Sequence, residues 1–267
     1  MGSRVSRGFT REHHEELSST NDRALQLARD GADRVAVTAL AQQQGRGRRG
    51  NRWASPPGAG LYASFIVRPR LSAARSPLLT LAGGVAVHDA FAPRLTQPIG
   101  LKWPNDVLAG RPPNADASKG ADHGAHAGRK LAGILVESAT GGEWLDYAVL
   151  GVGINLWPAE RVEAEGRAVS CAELGGEVDF EAAYAGLAAA IEAVLDRIEV
   201  EGLDFVLEAW GRRALGIGRS VSVRRGDALS VGTLLGLARD GGLRLRTATG
   251  EETIYTGELR PESLVGG

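Results

Sequence analysis

The spacing of apolar and polar residues predicts helices and strands intermingled along the first 215 residues. Apolar positions at helical spacing predict helices over residues 22–29, 77–91, 180–198 and 203–215. Short apolar or alternating runs predict strands over residues 34–40, 60–67, 99–103, 131–137 and 143–156. From residue 219 the pattern changes to short alternating strands separated by the turn sequences RGD, DGG and TGE. A small β-barrel is therefore expected after the mixed helical and strand region.

The change of pattern at Gly216-Ile217-Gly218 predicts a domain boundary, with one domain over residues 1–215 and the barrel over residues 216–267. A barrel of about 50 residues is marginal alone, so we expect it to pack against the larger domain. Residues 110–128 (GRPPNADASKGADHGAHAG) have no hydrophobic period and predict a disordered surface insertion. We interpret His123 and His126 in this insertion as exposed loop residues rather than metal ligands.

Composition and charge narrow the function classes. The formal net charge of −1 differs from the strong positive charge expected of a dedicated DNA-binding protein. No apolar run approaches the roughly 20 residues that a membrane helix needs. The polar first 16 residues contain no signal-peptide core, and a single cysteine, Cys171, forms no internal disulfide. We therefore expect a cytoplasmic protein with no membrane association.

Lysine is scarce in this chain. Of the 31 lysine and arginine residues, three are lysines: Lys102, Lys119 and Lys130. A sequence that uses arginine almost everywhere is expected to keep lysine where a compact ammonium is needed, so these positions are candidate site residues. Lys119 lies in the low-complexity insertion, and we attribute it to chance.

The strongest chemical signal is the segment QQQGRGRRGNRW at residues 42–53, where three glycines alternate with four arginines between two predicted strands. Such a backbone can wrap closely around an anion while the guanidinium groups bind it, so we predict a phosphate-binding loop. Trp53 at its end offers a ring that can stack on a base. The alternative is a basic RNA-binding arm, which is disfavoured because the run is single and bracketed by strands.

Several polar clusters stand at element ends. The tetrad SSTN at residues 18–21 precedes a helix, where it can reach a ligand or serve only as an N-cap. KWPND exposes Lys102, Asn105 and Asp106 after a strand, although Asn105 alone fits a structural turn. Lys130 begins a strand, where an ammonium can neutralise a carboxylate that approaches a phosphate.

Two common nucleotide motifs are missing from the sequence. GVGINL at residues 151–156 lacks the third glycine of the dinucleotide fingerprint, and no Walker lysine pattern occurs. Its glycines can still let a ligand lie against the strand backbone. The sequence also lacks a GxSxG motif, and Cys171 is interpreted as a small core residue, so no covalent nucleophile is predicted.

The motifs SSTN, QQQGRGRRGNRW, SPPGAGLYAS, KWPNDVL, GRKLAGILVE and GVGINL occur in the order and approximate spacing of bacterial biotin protein ligases. The sequence resembles that family over nearly its whole length. The resemblance implies an α+β fold: a mixed sheet with flanking helices, like a class II synthetase, followed by a small SH3-like barrel. It also implies biotinylation of a lysine on a biotin carboxyl carrier domain, through biotinyl-AMP, with ATP and Mg²⁺ and release of pyrophosphate.

The resemblance assigns roles to matching positions. Those implied for biotin are Ser19, Thr20, Asn21, Gln42, Arg46, Gly47, Arg48 and Lys130. Those implied for ATP or the adenylate are Arg46, Arg48, Arg49, Trp53, Lys102, Asn105, Lys130 and Asn155. Catalytic roles are implied for Lys130, Arg48 and Asp106, and no metal ligand is assigned. Asn51 stands where the family commonly has arginine, which puts one peripheral phosphate contact in doubt.

Only 18 residues precede Ser19, too few for the three-helix DNA-binding domain of bifunctional family members. We therefore expect a ligase without repressor activity or a DNA partner, acting as a monomer or homodimer. The alternative is a lipoate ligase or octanoyl transferase of the same superfamily. It is disfavoured because the hydrogen-bonding groups of residues 19–21 and Gln42 suit a ureido ring better than an apolar dithiolane or alkyl chain. An RNA-binding module is disfavoured by the near-zero net charge.

Overall fold

The structure is a computed structural model that describes residues 8–110, 128–159 and 167–261. The predicted insertion therefore lies, apart from its first and last residues, outside the described residues. This also applies to Lys119, His123 and His126.

Helices and strands are intermixed up to residue 213, and the described residues after it contain strands without helices. The elements are β1 (Thr10–Leu17), α1 (Thr20–Arg29), β2 (Val35–Gln42), β3 (Gly60–Val67), α2 (Pro77–Phe91), β4 (Ile99–Lys102), β5 (Asp106–Ala109), β6 (Lys130–Gly141), β7 (Trp144–Asn155), α3 (Phe180–Glu201), α4 (Asp204–Arg213), β8 (Ser220–Arg225), β9 (Ala228–Leu237), β10 (Leu243–Thr247), β11 (Gly250–Ile254) and β12 (Glu258–Pro261).

The larger sheet is mixed. Its strand order is β1-β2-β3-β7-β6-β5-β4, with β1 parallel to β2 and the other pairs antiparallel. Helices α2, α3 and α4 pack against one another and α2 covers one face, while α1 covers the opposite face of β2, β3 and β7. Because both faces are covered, every residue of β3 is buried, which explains its nearly continuous apolar sequence. The predicted α+β class and mixed sheet are confirmed.

The smaller sheet is antiparallel, with strand order β11-β10-β9-β8-β12, and corresponds to the predicted SH3-like barrel. Its apolar residues, among them Val221, Leu234 and Leu245, join the same buried core as the larger sheet. The Trp103 indole N–H donates to the carbonyl oxygen of Gly241 at 3.1 Å. The barrel therefore packs directly on the strand hairpin that carries the KWPND motif.

Three strands were not predicted, and each lacks a strong hydrophobic signal. β1 (TREHHEEL) forms an edge of the sheet, and none of its residues is buried. Its side chains can therefore be charged. β5 and β12 are only four residues long. Helix α1 begins two residues earlier than predicted, with Ser19 as its N-cap. No helix in the described ranges is both long and apolar enough to cross a membrane.

Candidate active site

A cavity of about 760 Å³ lies where the larger sheet meets the barrel. All residues that the sequence singled out for ligand contacts or catalysis line it: Ser19, Thr20, Asn21, Gln42, Arg46, Gly47, Arg48, Arg49, Trp53, Lys102, Asn105, Asp106, Lys130 and Asn155. The barrel contributes residues 257–260, which the sequence did not indicate. Arg167 also lines the cavity, beside the start of β6.

One end of the cavity is a network of short polar side chains. The Gln42 carbonyl oxygen accepts hydrogen bonds from the Thr20 N–H at 2.8 Å and the Thr20 hydroxyl at 3.1 Å. The Gln42 amide donates to the Ser55 hydroxyl at 2.8 Å. The Ser64 oxygen lies 2.8 Å from the Thr20 hydroxyl and 2.6 Å from Asn21 Oδ1. Each group is oriented by its neighbours, so this end presents donors and acceptors in fixed directions.

Ser64 and Ser55 were missed by the sequence analysis. Ser64 lies in the apolar strand β3 and is fully buried. A serine in a largely apolar strand was the available signal, since a buried hydroxyl needs a hydrogen-bond partner. Ser55 forms an isolated bridge with Gln42 and is 7% exposed.

Two lysines share one aspartate beside this pocket. The β4–β5 hairpin pairs Lys102 with Asp106, and β6 places Lys130 alongside. Lys102 Nζ lies 3.0 Å from Asp106 Oδ2, and Lys130 Nζ lies 2.6 Å from Asp106 Oδ1. Burial disfavours the carboxylate, but the two ammonium groups outweigh it and lower the Asp106 pKa below its ordinary value. Asp106 is therefore a carboxylate at neutral pH.

The glycine–arginine loop is a short hairpin. Gln42 bridges to Ser55 and Arg46 to Arg52, and the Trp53 N–H donates to the Gly45 carbonyl oxygen at 2.9 Å. A Cβ on Gly45 would lie 2.4 Å from the Trp53 carbonyl oxygen, so this crossing requires glycine. The predicted connection between two strands is confirmed.

The arginines of this hairpin have different partners. Arg46 contacts two carboxylates, those of Asp22 and Glu137. Arg48 Nη1 lies 3.5 Å from Asn105 Oδ1, and burial lowers the Arg48 pKa. Arg49 donates to the Thr256 hydroxyl of the barrel at 2.6 Å. Arg48 and Arg49 therefore line the cavity with neutral side-chain partners, whereas Arg46 is paired with two carboxylates.

Gly153 of the GVGIN segment and Gly133 of β6 accommodate the Trp53 ring. A Cβ on Gly153 would lie 2.4 Å from the indole, and one on Gly133 of β6 would lie 2.9 Å from it. Lys130 Nζ lies 5.2 Å from the ring centroid, within reach of a cation–π contact. The backbone of β7 therefore lies close to an aromatic side chain of the protein itself. The sequence had suggested that a ligand could lie against this backbone.

Asn155 ends β7 with an unused acceptor. Its amide donates to the carbonyl oxygens of Lys130 and Val169, both at 3.1 Å. Its own oxygen is buried and accepts no hydrogen bond from the described residues. A buried acceptor without a partner is costly, so this oxygen suits a ligand that brings an N–H group.

Cys171 takes no part in the site. It is fully buried, and burial raises its thiol pKa to about 12. Its predicted role as a core residue is confirmed. Within the described ranges, no group of three or more histidine, cysteine, aspartate or glutamate residues is placed to hold a metal ion.

Comparison with known proteins agrees with this geometry. Residues 15–155 match the Biotin/lipoate A/B protein ligase family, and residues 216–259 match the Biotin protein ligase C terminal domain. The biotin--[acetyl-CoA-carboxylase] ligase of Paracoccus denitrificans is 32% identical over 252 residues, which cover 90% of this chain and 96% of that protein. The bifunctional ligase/repressor BirA of Escherichia coli is 32% identical over 234 residues, covering 86% of this chain and 67% of that protein.

Among solved structures, the biotin protein ligase from Aquifex aeolicus in complex with biotin and ATP superposes with a TM-score of 0.75. It is 26% identical, and the match covers 95% of this chain and 99% of that one. Fold and site together define an enzyme of the biotin and lipoate attachment class. The chain belongs to the biotin/lipoate A/B protein ligase family, in its biotin protein ligase branch.

Proposed function

We propose that the protein catalyses ATP-dependent biotinylation of a lysine on a biotin carboxyl carrier domain, in two steps. A carboxylate oxygen of biotin attacks the α-phosphorus of ATP and displaces pyrophosphate, which gives biotinyl-5′-AMP. The amine of the carrier lysine then attacks the acyl carbon, and AMP leaves. The observation that carries the proposal is one cavity with a polar hydrogen-bonding end and a cationic centre. The polar end suits the ureido ring, and the cationic centre suits the joining of a carboxylate to a phosphate.

The polar end suits the biotin ureido ring, which offers one carbonyl acceptor and two N–H donors. We assign this contact to Ser19, Thr20, Asn21 and Gln42, held in place by their shared hydrogen bonds. A dithiolane or alkyl chain would leave these groups unpaired at about 1–3 kcal/mol each. The lipoate alternative is therefore disfavoured, in agreement with the biotin-specific relatives.

The cationic centre suits the attack on phosphate. Lys130 lines the cavity beside Trp53 and Asp106 and would neutralise the biotin carboxylate and the α-phosphate as they meet. Arg48 would bind the phosphate, and Arg46 and Gly47 would help to close the hairpin over the adenylate. Asp106 is charged and touches both lysines, so an incoming ammonium can displace one of them and be oriented there.

The adenine end is assigned to Trp53 and Asn155. The indole provides a stacking surface, and the free Asn155 oxygen can accept from the exocyclic amino group of the base. Lys102, Asn105 and Arg49 would complete the contacts to the nucleotide. ATP would bind as its magnesium complex, and the ion would neutralise charge on the phosphates. Asp106 is the candidate protein residue to hold that ion.

We assign catalysis to residues 1–215 and a supporting role to the barrel of residues 216–267, which lines one side of the cavity. The partner is the biotin carboxyl carrier domain of a biotin-dependent carboxylase, a class indicated by the names of the relatives. We propose that the enzyme acts in the cytoplasm as a monomer or homodimer. The proposal concerns the ligase activity alone, since relatives named ligase/repressor extend beyond the matched region.

The test is an adenylation assay without carrier. Purified protein is incubated with biotin and Mg-ATP, and both pyrophosphate and enzyme-bound biotinyl-AMP are measured, with lipoate in parallel. We expect pyrophosphate that depends on biotin. Turnover with lipoate alone would transfer the protein to the lipoate branch, and absence of turnover with both acids would refute the proposal.

A further inference from the structure

Arg46 is held between two carboxylates that come from different elements. Its Nη2 atom lies 2.6 Å from Glu137 Oε2 and 2.7 Å from Asp22 Oδ1. Asp22 stands in the first turn of α1, and Glu137 lies in β6. Their side chains are 51% and 28% exposed. The guanidinium group of Arg46 therefore contacts both sides of the end of the cavity that is assigned to biotin.

The clamp continues into the buried pocket. Glu137 Oε2 also accepts a hydrogen bond from the Asn21 amide at 2.8 Å, and Asn21 Oδ1 lies 2.6 Å from the Ser64 hydroxyl oxygen. A Cβ on Gly151 would lie 2.1 Å from Asn21 Oδ1, so glycine is needed there for Asn21 to take this position. One chain of contacts therefore joins buried Ser64 to Arg46 on the hairpin.

An anion that reached Arg46 would meet unfavourable electrostatics. It would compete with two carboxylates already bound to the guanidinium, and both would repel it. Arg48, two residues along, touches only the neutral Asn105 side chain, so its charge is available to a phosphate. Arg48 is thus suited to anion binding, whereas Arg46 is occupied by carboxylates of the protein itself.

We propose that Arg46, Asp22 and Glu137 form a latch that holds the hairpin closed over the bound biotinyl group, and that Arg46 is a positioning residue rather than a phosphate ligand. Arg46 is bridged to Arg52, so its position sets both arms of the hairpin. The inference rests on the proposed function. Retention matters because biotinyl-AMP is a mixed anhydride that hydrolyses when it escapes into water.

The test measures release of biotinyl-AMP from Glu137→Gln, Asp22→Asn and Arg46→Gln variants. Glutamine at position 137 keeps an oxygen for the Asn21 amide and removes only the charge. We expect each variant to release biotinyl-AMP about tenfold faster, with the KM for ATP changed less than about twofold. Glu143→Gln is the matched control, because Glu143 is an exposed carboxylate at the far end of the β6–β7 hairpin, and it should release at the parent rate.

A double variant separates the latch from phosphate binding. If Arg46 and Glu137 act through one contact, Arg46→Gln combined with Glu137→Gln should release no faster than Arg46→Gln alone. If Arg46 binds phosphate, Arg46→Gln should raise the KM for ATP, and Glu137→Gln should lower it only while Arg46 is present. The second pattern would overturn the proposal.

A second measurement needs no substrate. Hydrogen exchange of the Gly47 and Trp53 amides, both bonded within the hairpin, should be faster in ligand-free Glu137→Gln and Asp22→Asn than in the parent or Glu143→Gln. Equal exchange in all four proteins would refute the latch. A parent enzyme that made no biotinyl-AMP would instead refute the proposed function, while the exchange result would still decide the latch.

Discussion

Replacing Lys130 by methionine tests the centre of the site with the least change in shape. Methionine keeps an unbranched stem beside the Trp53 ring and removes the ammonium that lies 2.6 Å from Asp106. Losing one preorganised cation where charge develops typically lowers a rate by about 10²–10³-fold, or about 3–4 kcal/mol in the barrier. We therefore expect Lys130→Met to form biotinyl-AMP about 10²–10³-fold more slowly than the parent.

Lys130→Met should change the free energy of unfolding less than it changes the activation barrier, because Asp106 keeps a second ion-pair partner. At an effective dielectric constant of about 20, the Lys130–Asp106 attraction is about 6 kcal/mol, and desolvation of both ions offsets most of it. Lys102 remains 3.0 Å from Asp106, so the carboxylate keeps one partner. The variant should lose about 1–3 kcal/mol of unfolding free energy, below the roughly 3–5 kcal/mol for an isolated buried charge.

The pH dependence has a definite sign. Because folding lowers the Asp106 pKa from its ordinary 3.8, the carboxylate stabilises the native state above about pH 4, and this stabilisation is lost as pH falls through the folded-state value. Removing Lys130 weakens the shift. The stability gap between parent and variant should therefore be full at neutral pH and shrink below about pH 4.

Single-turnover pyrophosphate release with saturating biotin and Mg-ATP measures the rate, and urea unfolding at pH 7 and pH 3.5 measures the stability. A Lys130→Met enzyme with the parent adenylation rate would refute the role assigned to the ammonium. A rate loss accompanied by loss of the folded state at pH 7 would contradict the stability argument.

Three further predictions follow from buried contacts. Ser64→Ala should weaken biotin binding about fivefold to thirtyfold with the KM for ATP unchanged, because Asn21 loses its orienting hydroxyl; titration calorimetry measures this. Gly153→Ala should displace the Trp53 ring, which a Cβ would meet at 2.4 Å, and so change the intrinsic fluorescence and raise the KM for ATP. Native Cys171 should resist iodoacetamide at pH 8 because its thiol pKa is about 12, and should react after unfolding; mass spectrometry distinguishes the two states.

Local pattern in the sequence determined the elements with strong apolar signals. The predicted bounds of β3 and α2 coincide with those observed, since most residues of each are apolar and buried. The charged edge strand β1 could not be predicted in this way. An edge strand buries little apolar surface, and its pairing with β2 is a contact between distant residues.

The sequence also singled out residues that line one cavity in the structure, because glycine, lysine and polar clusters at element ends are typical of ligand sites. It did not indicate Ser55, Ser64 or residues 257–260. Nor did it determine how the residues of the site pair. Asn21 and Glu137 are 116 residues apart, and Arg49 and Thr256 are 207 apart. Such contacts depend on which strands become neighbours in the sheet and on where the barrel packs. Only the tertiary structure therefore showed that Lys102 and Lys130 share one carboxylate, and that Arg46 is paired with two carboxylates while Arg48 has a neutral side-chain partner.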